Sequence, residues 1–327
     1  MCGLTGFYDR GARDGADVME RRIRAMTDAV RHRGPDDCGS WADPAAGIAL
    51  GHRRLAIVDL SPAGHQPMTS QDGRWTLAYN GEIYNFRELA RALEAEGRTP
   101  RGGSDTAVLL EGFALWGVRA TLERANGMFA LALWDRAERR LVLARDRLGI
   151  KPLYWTRRGG TILFGSELKA LRAAGTGDFE IDPAAAAAFL RFAYVPAPGS
   201  IYRGVHKLPP GHLLTVAASG EPRLECYWDL AAVAARGQSH PLDAGPDEVA
   251  DRLEALLRDA VGLQLVSDVP LGAFLSGGVD SSTVVALMQA QSGRPVRTFS
   301  IGFGEAGFDE SAHARAVAAH LGTDHTE

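Results

Sequence analysis

The stretch MCGLTGF, residues 1–7, opens the chain, and its second residue is the candidate nucleophile around which we interpret the other segments. Residues 4–8 are predicted to form a first β-strand that would hold Cys2 at its exposed end. If Met1 is removed, Cys2 carries a thiol and a free α-amine on one residue. A cysteine attacks as its thiolate, yet a thiol of pKa about 8.5 is mostly protonated at neutral pH. An α-amine of pKa about 7.7 to 8.0 is a suitable acceptor for that proton, so the stretch predicts a nucleophile with its own base.

Composition indicates a globular protein of two domains. The chain has 327 residues, is 46% hydrophobic and carries a formal net charge of −4. This length favours two domains, and this charge gives no reason to expect nucleic acid or a membrane as a partner. The three cysteines, Cys2, Cys38 and Cys226, are far apart and form no CxxC pair, which is typical of reduced thiols. We therefore expect a cytoplasmic protein, without a leader longer than Met1 and without a membrane span.

Apolar periodicity predicts alternating helices and strands in the first two thirds of the chain. Met19, Ile23, Met26 and Val30 form one helical stripe, which Gly34 and Pro35 end. The spacing of Asn85, Glu88 and Gly97 predicts a helix with a capping box. Strands are predicted over residues 48–50, 55–58, 75–79, 128–134, 141–145 and 161–164. Together these elements suggest sheets packed face to face with helical outer layers.

Three polar segments interrupt these elements and have both a plain structural interpretation and a chemical one. Arg53 and Arg54 are adjacent cations that could hold an anion, although such pairs commonly face solvent. Asn80-Gly81 commonly forms a tight turn, but a side-chain amide beside a backbone N–H is also what an oxyanion hole requires. Ser104-Asp105 opens a predicted helix, where capping is the simplest function.

Six motifs occur in order between residue 1 and residue 155, and together they resemble the class II glutamine amidotransferase domain of glutamine-hydrolysing asparagine synthetase. They are MCGLTGF (1–7), HRGPDD (32–37), HRRLAIVD (52–59), YNGEIYN (79–85), SDT (104–106) and RDRLGIKPLYW (145–155). The resemblance implies an N-terminal-nucleophile hydrolase fold, which is an α+β sandwich of four αββα layers.

The resemblance also implies a role for eight residues. Cys2 would attack the side-chain amide of glutamine, while Asn80 and the Gly81 N–H would stabilise the tetrahedral oxyanion. A guanidinium suits a carboxylate, and a carboxylate suits an ammonium. The glutamine-binding residues implied are Arg54 for the α-carboxylate, Glu82 and Asp105 for the α-amine, and the backbone of Ile57 and Val58 along the slot.

The second chemical motif is LGAFLSGGVDSSTVVALM, residues 271–288. It predicts an apolar strand, a glycine turn and the start of a helix, an arrangement whose free N–H groups bind phosphate. The motif has no Walker A lysine, and it resembles the PP-loop of ATP pyrophosphatases, which are Rossmann-like α/β domains. The ATP-binding residues implied are Leu275, Ser276, Gly277, Gly278, Asp280, Ser281, Ser282 and Ile301, with Asp280 also facing Mg²⁺.

These resemblances imply three segments. Residues 1–215 would form the glutaminase domain, residues 216–246 a connection, and residues 247–327 the first part of an ATP-pyrophosphatase domain. Only two strands of that domain are predicted, over residues 271–275 and 296–301, whereas a doubly wound sheet typically has about five. The helix that begins near Asp247 is predicted to bury Val249, Leu253, Leu256, Leu257 and Val261.

The implied function is glutamine-dependent asparagine synthesis from glutamine, aspartate and ATP. Glutamine would give glutamate and ammonia, and the full-length chain would adenylate aspartate and amidate it, with release of AMP and pyrophosphate. The 327-residue piece is expected to hydrolyse glutamine without forming asparagine, and a homodimer is a candidate assembly. Two alternatives stay open: an amidotransferase of the same family with another carboxylate acceptor, and a non-catalytic fragment that binds glutamine or a nucleotide.

Overall fold

The computed structural model describes residues 1–11, 14–305 and 309–327. The chain divides into two compact units, Met1–Arg236 and Gly237–Glu327. In the part of the chain that is described, no helix combines the length and the apolar character that crossing a membrane requires.

Two six-stranded antiparallel sheets form the centre of the first unit. The strands of the first sheet, in order across it, are β10 (Val205–Lys207), β8 (Tyr154–Arg158), β9 (Thr161–Gly165), β1 (Gly3–Asp9), β3 (Ile48–Arg54) and β2 (Asp37–Asp43). Those of the second are β12 (Arg223–Cys226), β11 (His212–Val216), β7 (Arg140–Arg145), β6 (Gly127–Asp135), β5 (Trp75–Ile83) and β4 (Met68–Thr69). Because β1 pairs with both β9 and β3, the residue before it, Cys2, is attached to the middle of a sheet.

Helices cover the outer face of each sheet. The helices packed on the first sheet are α1 (Ala16–Asp28) and α5 (Leu168–Ala173), and those packed on the second are α2 (Phe86–Ala95), α3 (Asp105–Trp116) and α4 (Val118–Arg124). Two further helices follow later in the chain: α6 (Pro183–Phe192) in this unit, and α7 (Leu230–Ser239), which runs across the boundary at Arg236. The four layers are separated by three apolar cores, so the predicted αββα sandwich is confirmed.

The alternation of side chains along β1 explains why that strand belongs to two cores. Leu4 and Tyr8 point between the sheets, where Tyr8 meets Trp134 edge to face at 5.1 Å between ring centroids. Phe7 points the other way and packs against Met19 and Ile23 of α1. Since successive strand residues face opposite sides, a strand with a core on each side is buried along its whole length. The predicted stripe of α1 is confirmed, because its members are fully buried.

Two strands run further than predicted. The strand predicted over residues 48–50 continues as β3 to Arg54, because β1 and β2 pair with it on both sides. The strand predicted over residues 55–58 is absent, and those residues form a loop. The strand predicted to end at Tyr79 continues as β5 through Asn80-Gly81 to Ile83, because β6 pairs with it up to that residue. Asn80-Gly81 is therefore extended strand and not a turn.

Asn85 precedes α2 as predicted but makes a different contact from the predicted capping box. Its side-chain Nδ2 donates to the Arg124 carbonyl at 3.1 Å, and its Oδ1 accepts from the Asn126 N–H at 2.9 Å. The side chain therefore ties the start of α2 to the end of α4 instead of capping its own helix.

The first unit extends past residue 215, where the sequence places the end of the first domain. Strand β12 pairs with β11 over residues 223–226, and Tyr227 packs into the core of the second sheet. The segment assigned to a connection, residues 216–246, thus contains a strand of the sandwich as well as α7.

The second unit is a small α/β structure around a parallel sheet. Its elements are α8 (Pro246–Gln264), β13 (Gly272–Phe274), α9 (Val279–Gln291), β14 (Arg297–Phe299), α10 (Ser311–Leu321) and β15 (Asp324–Thr326). The strands pair in parallel in the order β13-β14-β15, and β15 was not predicted. The parallel α/β class is confirmed, and the three strands found among the described residues are fewer than the roughly five of a doubly wound sheet.

The prediction that α8 buries its apolar face is wrong for most of that face. Val249, Leu253 and Leu256 are exposed, and Leu256 retains 69% of its accessible surface. α8 contacts α9 in its second half, where the Gln291 side chain donates to the Arg258 carbonyl at 3.1 Å.

His52 on β3 links the two sheets. Its side chain is buried, and its Nε2–H donates to the Tyr79 carbonyl on β5 at 2.8 Å. Burial lowers the pKa of His52 from 6.5 to about 4, so the ring is neutral in the folded protein at neutral pH.

The stability of the first unit should fall between pH 6.5 and pH 4 because of His52. In that window the unfolded chain binds a proton at this residue and the folded chain does not. The shift corresponds to about 3 kcal/mol in the free energy of unfolding. Urea unfolding at both ends of the window measures it, and tryptophan fluorescence reports the first unit because all six tryptophans lie there. In His52→Gln the side chain can still donate a hydrogen bond but does not titrate. The variant should therefore lose much less stability than wild type between pH 6.5 and pH 4, and an equal loss in both proteins would contradict the prediction.

Candidate active site

A cavity of about 240 Å³ lies where the start of β1, the end of β3, the later part of β5 and the start of α3 meet. It is lined by all eight residues that the sequence singles out for the glutaminase site: Cys2, Arg54, Ile57, Val58, Asn80, Gly81, Glu82 and Asp105. Four separate segments supply these residues, and the two sheets bring them together.

Cys2 is fixed at both its side chain and its backbone. Its Sγ accepts from the Leu55 N–H at 3.4 Å and donates to the Leu55 carbonyl at 3.6 Å. Its carbonyl accepts from Arg33 Nε at 2.8 Å, and Arg33 in turn donates to Glu167 at 3.0 Å. The thiol therefore faces the cavity from a rigid position.

Burial is the largest single influence on the pKa of the Cys2 thiol. Burial raises the pKa of the Cys2 thiol, while the Leu55 N–H, the N-terminal ammonium and Arg54 lower it. Burial also lowers the pKa of the Met1 α-amine. With Met1 in place the burial effect dominates, and the thiol alone is poorly activated at neutral pH.

Asn80 presents an unused donor to the cavity. Its side chain is 1% exposed, and its Nδ2 has no hydrogen-bond partner within residues 1–11, 14–305 and 309–327. An unpaired buried donor costs about 1–3 kcal/mol, which is why such groups commonly mark a ligand site. The neighbouring position must be glycine, because a Cβ on Gly81 would lie 2.3 Å from the Met128 carbonyl of β6.

Arg54 organises the loop that follows β3. Its guanidinium donates to the carbonyls of Ser61 at 3.2 Å and Val58 at 3.3 Å, and also to the carbonyl of Asp59. Gly64 packs directly against it, since a Cβ there would lie 1.8 Å from Nη2. The loop that carries Ile57 and Val58 is thus wrapped around the guanidinium.

Asp105 is a buried carboxylate at the first position of α3. Its Oδ2 accepts from the Tyr79 hydroxyl at 2.8 Å and the Ile83 N–H at 2.9 Å, and its Oδ1 accepts from the Thr106 N–H at 2.8 Å. Burial raises the pKa of Asp105, and these hydrogen bonds oppose that shift. Ser104 caps the helix by accepting from the Ala107 N–H at 3.2 Å, which confirms its structural interpretation.

Sequence reasoning missed several polar side chains of the cavity, among them Gln66 and Lys151. Gln66 accepts from the Tyr79 N–H at 2.7 Å and donates to Thr106 at 3.4 Å, so it connects β5 to α3. Lys151 lines the cavity as well; burial raises the pKa of Glu82, and the charge of Lys151 lowers it. No pattern signals Gln66, but Lys151 belongs to the RDRLGIKPLYW motif and is one of very few lysines in the chain.

The eight residues singled out for ATP lie at one edge of the sheet in the second unit. Leu275 follows β13, where its N–H donates to the Phe299 carbonyl at 2.8 Å. Ile301 follows β14 and is 67% exposed. The carboxyl ends of parallel strands are where α/β sheets bind ligands. Of the remaining six, Ser276, Gly277 and Gly278 form the loop between β13 and α9, and Asp280, Ser281 and Ser282 lie in the first turn of α9.

The loop and the first turn of α9 form a compact structure over residues 276–282, which we call the cradle. Gly277 has φ +81°, and a Cβ there would lie 2.6 Å from the backbone of His313. Ser276 Oγ accepts from the Gly278 N–H at 3.3 Å, and Ser281 Oγ accepts from the Ser276 N–H at 3.2 Å. Ser282 Oγ is buried without a partner among the described residues, and such a donor at a helix N-terminus fits a phosphate.

The donor set in the second unit fits a cation held by phosphates better than one held by the protein alone. Within the described ranges, no group of three or more His, Cys, Asp and Glu could hold a metal ion. Asp280 in the first turn of α9 is a single exposed carboxylate. Mg²⁺ typically binds proteins through one or two carboxylates plus substrate phosphates, so the site agrees with an MgATP complex.

Comparison with known proteins gives matches over both units. The family of the glutamine amidotransferase domain matches residues 1–228, and the asparagine synthase family matches residues 252–327. Asparagine synthetase [glutamine-hydrolyzing] 1 of Bacillus subtilis is 36% identical over 325 residues, which cover 99% of this chain and 49% of that protein. Synthetase 3 of the same organism is 37% identical, over 93% of this chain and 48% of that protein. The chain therefore spans about half the length of these curated relatives.

A solved structure supports the fold. The glutamine phosphoribosylpyrophosphate amidotransferase of Bacillus subtilis matches with a TM-score of 0.51 and 17% identity, over 99% of this chain and 65% of that chain. At this identity the likeness concerns the fold alone.

We expect iodoacetamide at pH 7 to label Cys38 and Cys226 about tenfold faster than Cys2 while Met1 is present. The two former side chains are exposed, whereas burial raises the pKa of the Cys2 thiol and so lowers its thiolate fraction. Peptide mass spectrometry of timed samples measures the three rates in one experiment. Equal rates for Cys2 and the two exposed cysteines would contradict the assigned environment.

Proposed function

The chain belongs to the glutamine amidotransferase domain family, and we propose that its first unit hydrolyses glutamine to glutamate and ammonia, with Cys2 as the nucleophile after removal of Met1. The main supporting observation is that the Cys2 thiol and the unpaired Asn80 amide face the same cavity. The cavity, of about 240 Å³, is smaller than the roughly 300–1,000 Å³ of pockets for drug-sized ligands, so its size suits a single amino acid.

The cavity walls carry groups complementary to the two charged ends of glutamine. Three of the five N–H groups of Arg54 donate to loop carbonyls of described residues, which leaves two for a carboxylate. Asp105 and Glu82 are carboxylates on the cavity wall and would bind the α-ammonium. With both ends held, the side-chain amide of glutamine would extend toward Cys2.

The reaction would proceed through a thioester. The free α-amine of Cys2 takes the thiol proton, and the thiolate attacks the amide carbon of glutamine. The developing oxyanion accepts hydrogen bonds from Asn80 Nδ2 and the Gly81 N–H. The tetrahedral intermediate then loses the amide nitrogen, which leaves as ammonia after receiving the proton. Water hydrolyses the remaining thioester to glutamate and restores the thiol.

For the second unit we propose the nucleotide-binding part of a synthetase. The match to the asparagine synthase family and the cradle over residues 276–282 support binding of ATP with Mg²⁺ there. ATP would supply the activation of aspartate as an acyl adenylate in the whole protein, and ammonia from the first unit would convert that adenylate to asparagine. The residues proposed to touch ATP are those singled out from the sequence, and Asp280 would face the cation.

Replacing Asn80 with alanine should lower kcat for glutamine hydrolysis roughly 10²- to 10³-fold with little change in KM, because the amide is needed in the transition state. Cys2→Ala should abolish hydrolysis, and Cys38→Ala, an exposed cysteine outside the cavity, should not change it. Glutamate release from Met1-free protein measures all three variants. Full activity of Cys2→Ala would refute the proposed nucleophile.

The 327-residue polypeptide should turn glutamine into glutamate and ammonia and yield no asparagine when aspartate and MgATP are added. The reason is that the described part of its second unit has three strands, where a doubly wound sheet has about five or more. Chromatographic analysis of amino acids and of AMP measures both reactions. Production of asparagine with an equal amount of AMP would show that the second unit is sufficient as it stands.

A further inference from the structure

Lysine is rare in this chain, and one lysine lies in the glutamine cavity. Of the 36 Lys and Arg residues only three are lysines, Lys151, Lys169 and Lys207. Lys151 is 6% exposed and lines the same cavity as Cys2 and Glu82. A lysine carries a compact charge whose protonation responds strongly to burial, whereas an arginine at the same place would keep its charge even when buried.

The loop before Lys151 fixes both the backbone N–H and the backbone carbonyl of this residue. The buried carboxylate of Asp146 accepts from the N–H groups of Leu148 at 3.1 Å, Ile150 at 2.9 Å and Lys151 at 3.0 Å. Arg145 Nε donates to the Lys151 carbonyl at 2.8 Å. Two charged side chains are thus used to fix the backbone of a third.

The charged groups around Lys151 come from several elements. Glu82 on β5, Cys2 before β1 and Asp146 in the same loop favour its charged form, and Arg33 opposes it. Burial lowers the pKa of Lys151 more than any of these groups. Cys2 itself also faces Asp105 of α3, Arg54 of β3 and the N-terminal amine. The strongest of these charge interactions is between Lys151 and Glu82: each is the charged group with the largest effect on the pKa of the other.

We propose that Lys151 is a positioning residue for glutamine hydrolysis: its backbone is fixed by the loop over residues 145–151, and its ammonium stabilises the thiolate of Cys2 and the carboxylate of Glu82. This inference rests on the proposed function and adds a cation to the residues implied by the resemblance. Burial disfavours both anions, so a cation fixed inside the cavity offsets part of that cost. The thiolate then forms at a pH where the α-amine is free to accept the proton.

The same arrangement affects substrate binding through Glu82. A carboxylate binds the α-ammonium of glutamine only while it is ionised, and burial together with Asp105 favours its neutral form. Lys151 counteracts that tendency. Loss of the cation should therefore weaken glutamine binding at low pH and leave it nearly unchanged at high pH.

The experiment compares the neutral variants Lys151→Met and Lys151→Gln with Lys151→Arg and with Lys169→Met, all as Met1-free protein. Lys169 is a matched control because it lies outside the cavity and pairs with Glu167 at 3.1 Å. The rate at which iodoacetamide alkylates Cys2 is measured from about pH 5.5 to 9.5 without glutamine, with tryptophan fluorescence as the check on folding.

In both neutral variants we expect the rise of the alkylation rate with pH to occur about one pH unit higher than in wild type. The maximum rate reached at high pH should be unchanged. The rate at pH 7 then falls about tenfold, while Lys151→Arg and Lys169→Met keep the wild-type profile. Three outcomes would overturn the inference: neutral variants that superimpose on wild type, an equal loss of rate at every pH, or the same displacement in Lys151→Arg.

A parallel glutaminase assay separates this inference from the function it rests on. If wild-type protein without Met1 does not hydrolyse glutamine, the proposed function fails. If wild-type protein does hydrolyse glutamine, two results together would refute the Lys151 inference alone. They are a KM of Lys151→Met that does not rise as the pH falls, and a pH profile of Cys2 alkylation that is the same as in wild type.

Discussion

The pairing of β1 on both sides is the constraint on which the site depends. Its backbone is bonded to β3 and β9, and its two faces are buried in different cores, so the residues before it have little freedom. Cys2 is attached directly to that strand, and Arg33 and Leu55 fix its carbonyl and its sulfur. A residue near a chain terminus usually frays, and here the paired strand restricts the motion of the thiol.

The cavity shows how a small site can be both rigid and reactive. Most of its polar atoms are already paired with protein: Asp105 by three strong donors, and Arg54 by the carbonyls of its own loop. These contacts fix the charged groups before any ligand arrives, which is what preorganisation requires. Asn80 differs from these two residues, because its amide nitrogen is buried without a partner among the described residues. Under the proposed function, this unpaired donor is the one that would meet the developing oxyanion.

Sequence alone predicts those features that follow from short-range periodicity. The stripe of α1 has a clear helical period, and the strand pattern of residues 128–134 and 141–145 identifies the centre of the second sheet. The motif residues of the cavity could be singled out because they belong to recognisable strings. Elements fixed by long-range pairing could not be predicted in the same way. Gly51 and His52 have no strand pattern, yet β1 and β2 enclose them, and Asn80-Gly81 is held extended by β6 against its turn preference.

Other failures of prediction arise from the same cause. Nothing in the apolar spacing of α8 shows that its stripe stays exposed, since burial depends on which elements lie opposite. The polar strand β15 has no apolar alternation that would predict it; it pairs with β14, and its His325 side chain contacts Thr298 and Ser300.

The charges of the cavity form a pattern that suits a zwitterion with a neutral side chain. Arg54 and Lys151 are cations, Asp105 and Glu82 are anions, and the Asn80 amide is neutral. Under the proposed function, each end of an amino acid meets the opposite charge, and its uncharged side chain is left for Cys2 and Asn80. An acidic side chain such as that of glutamate would bring a second carboxylate next to the thiolate, and that repulsion would favour release of the product. Under the proposed function, one set of fixed charges would thus favour both binding of the amide substrate and departure of the acid.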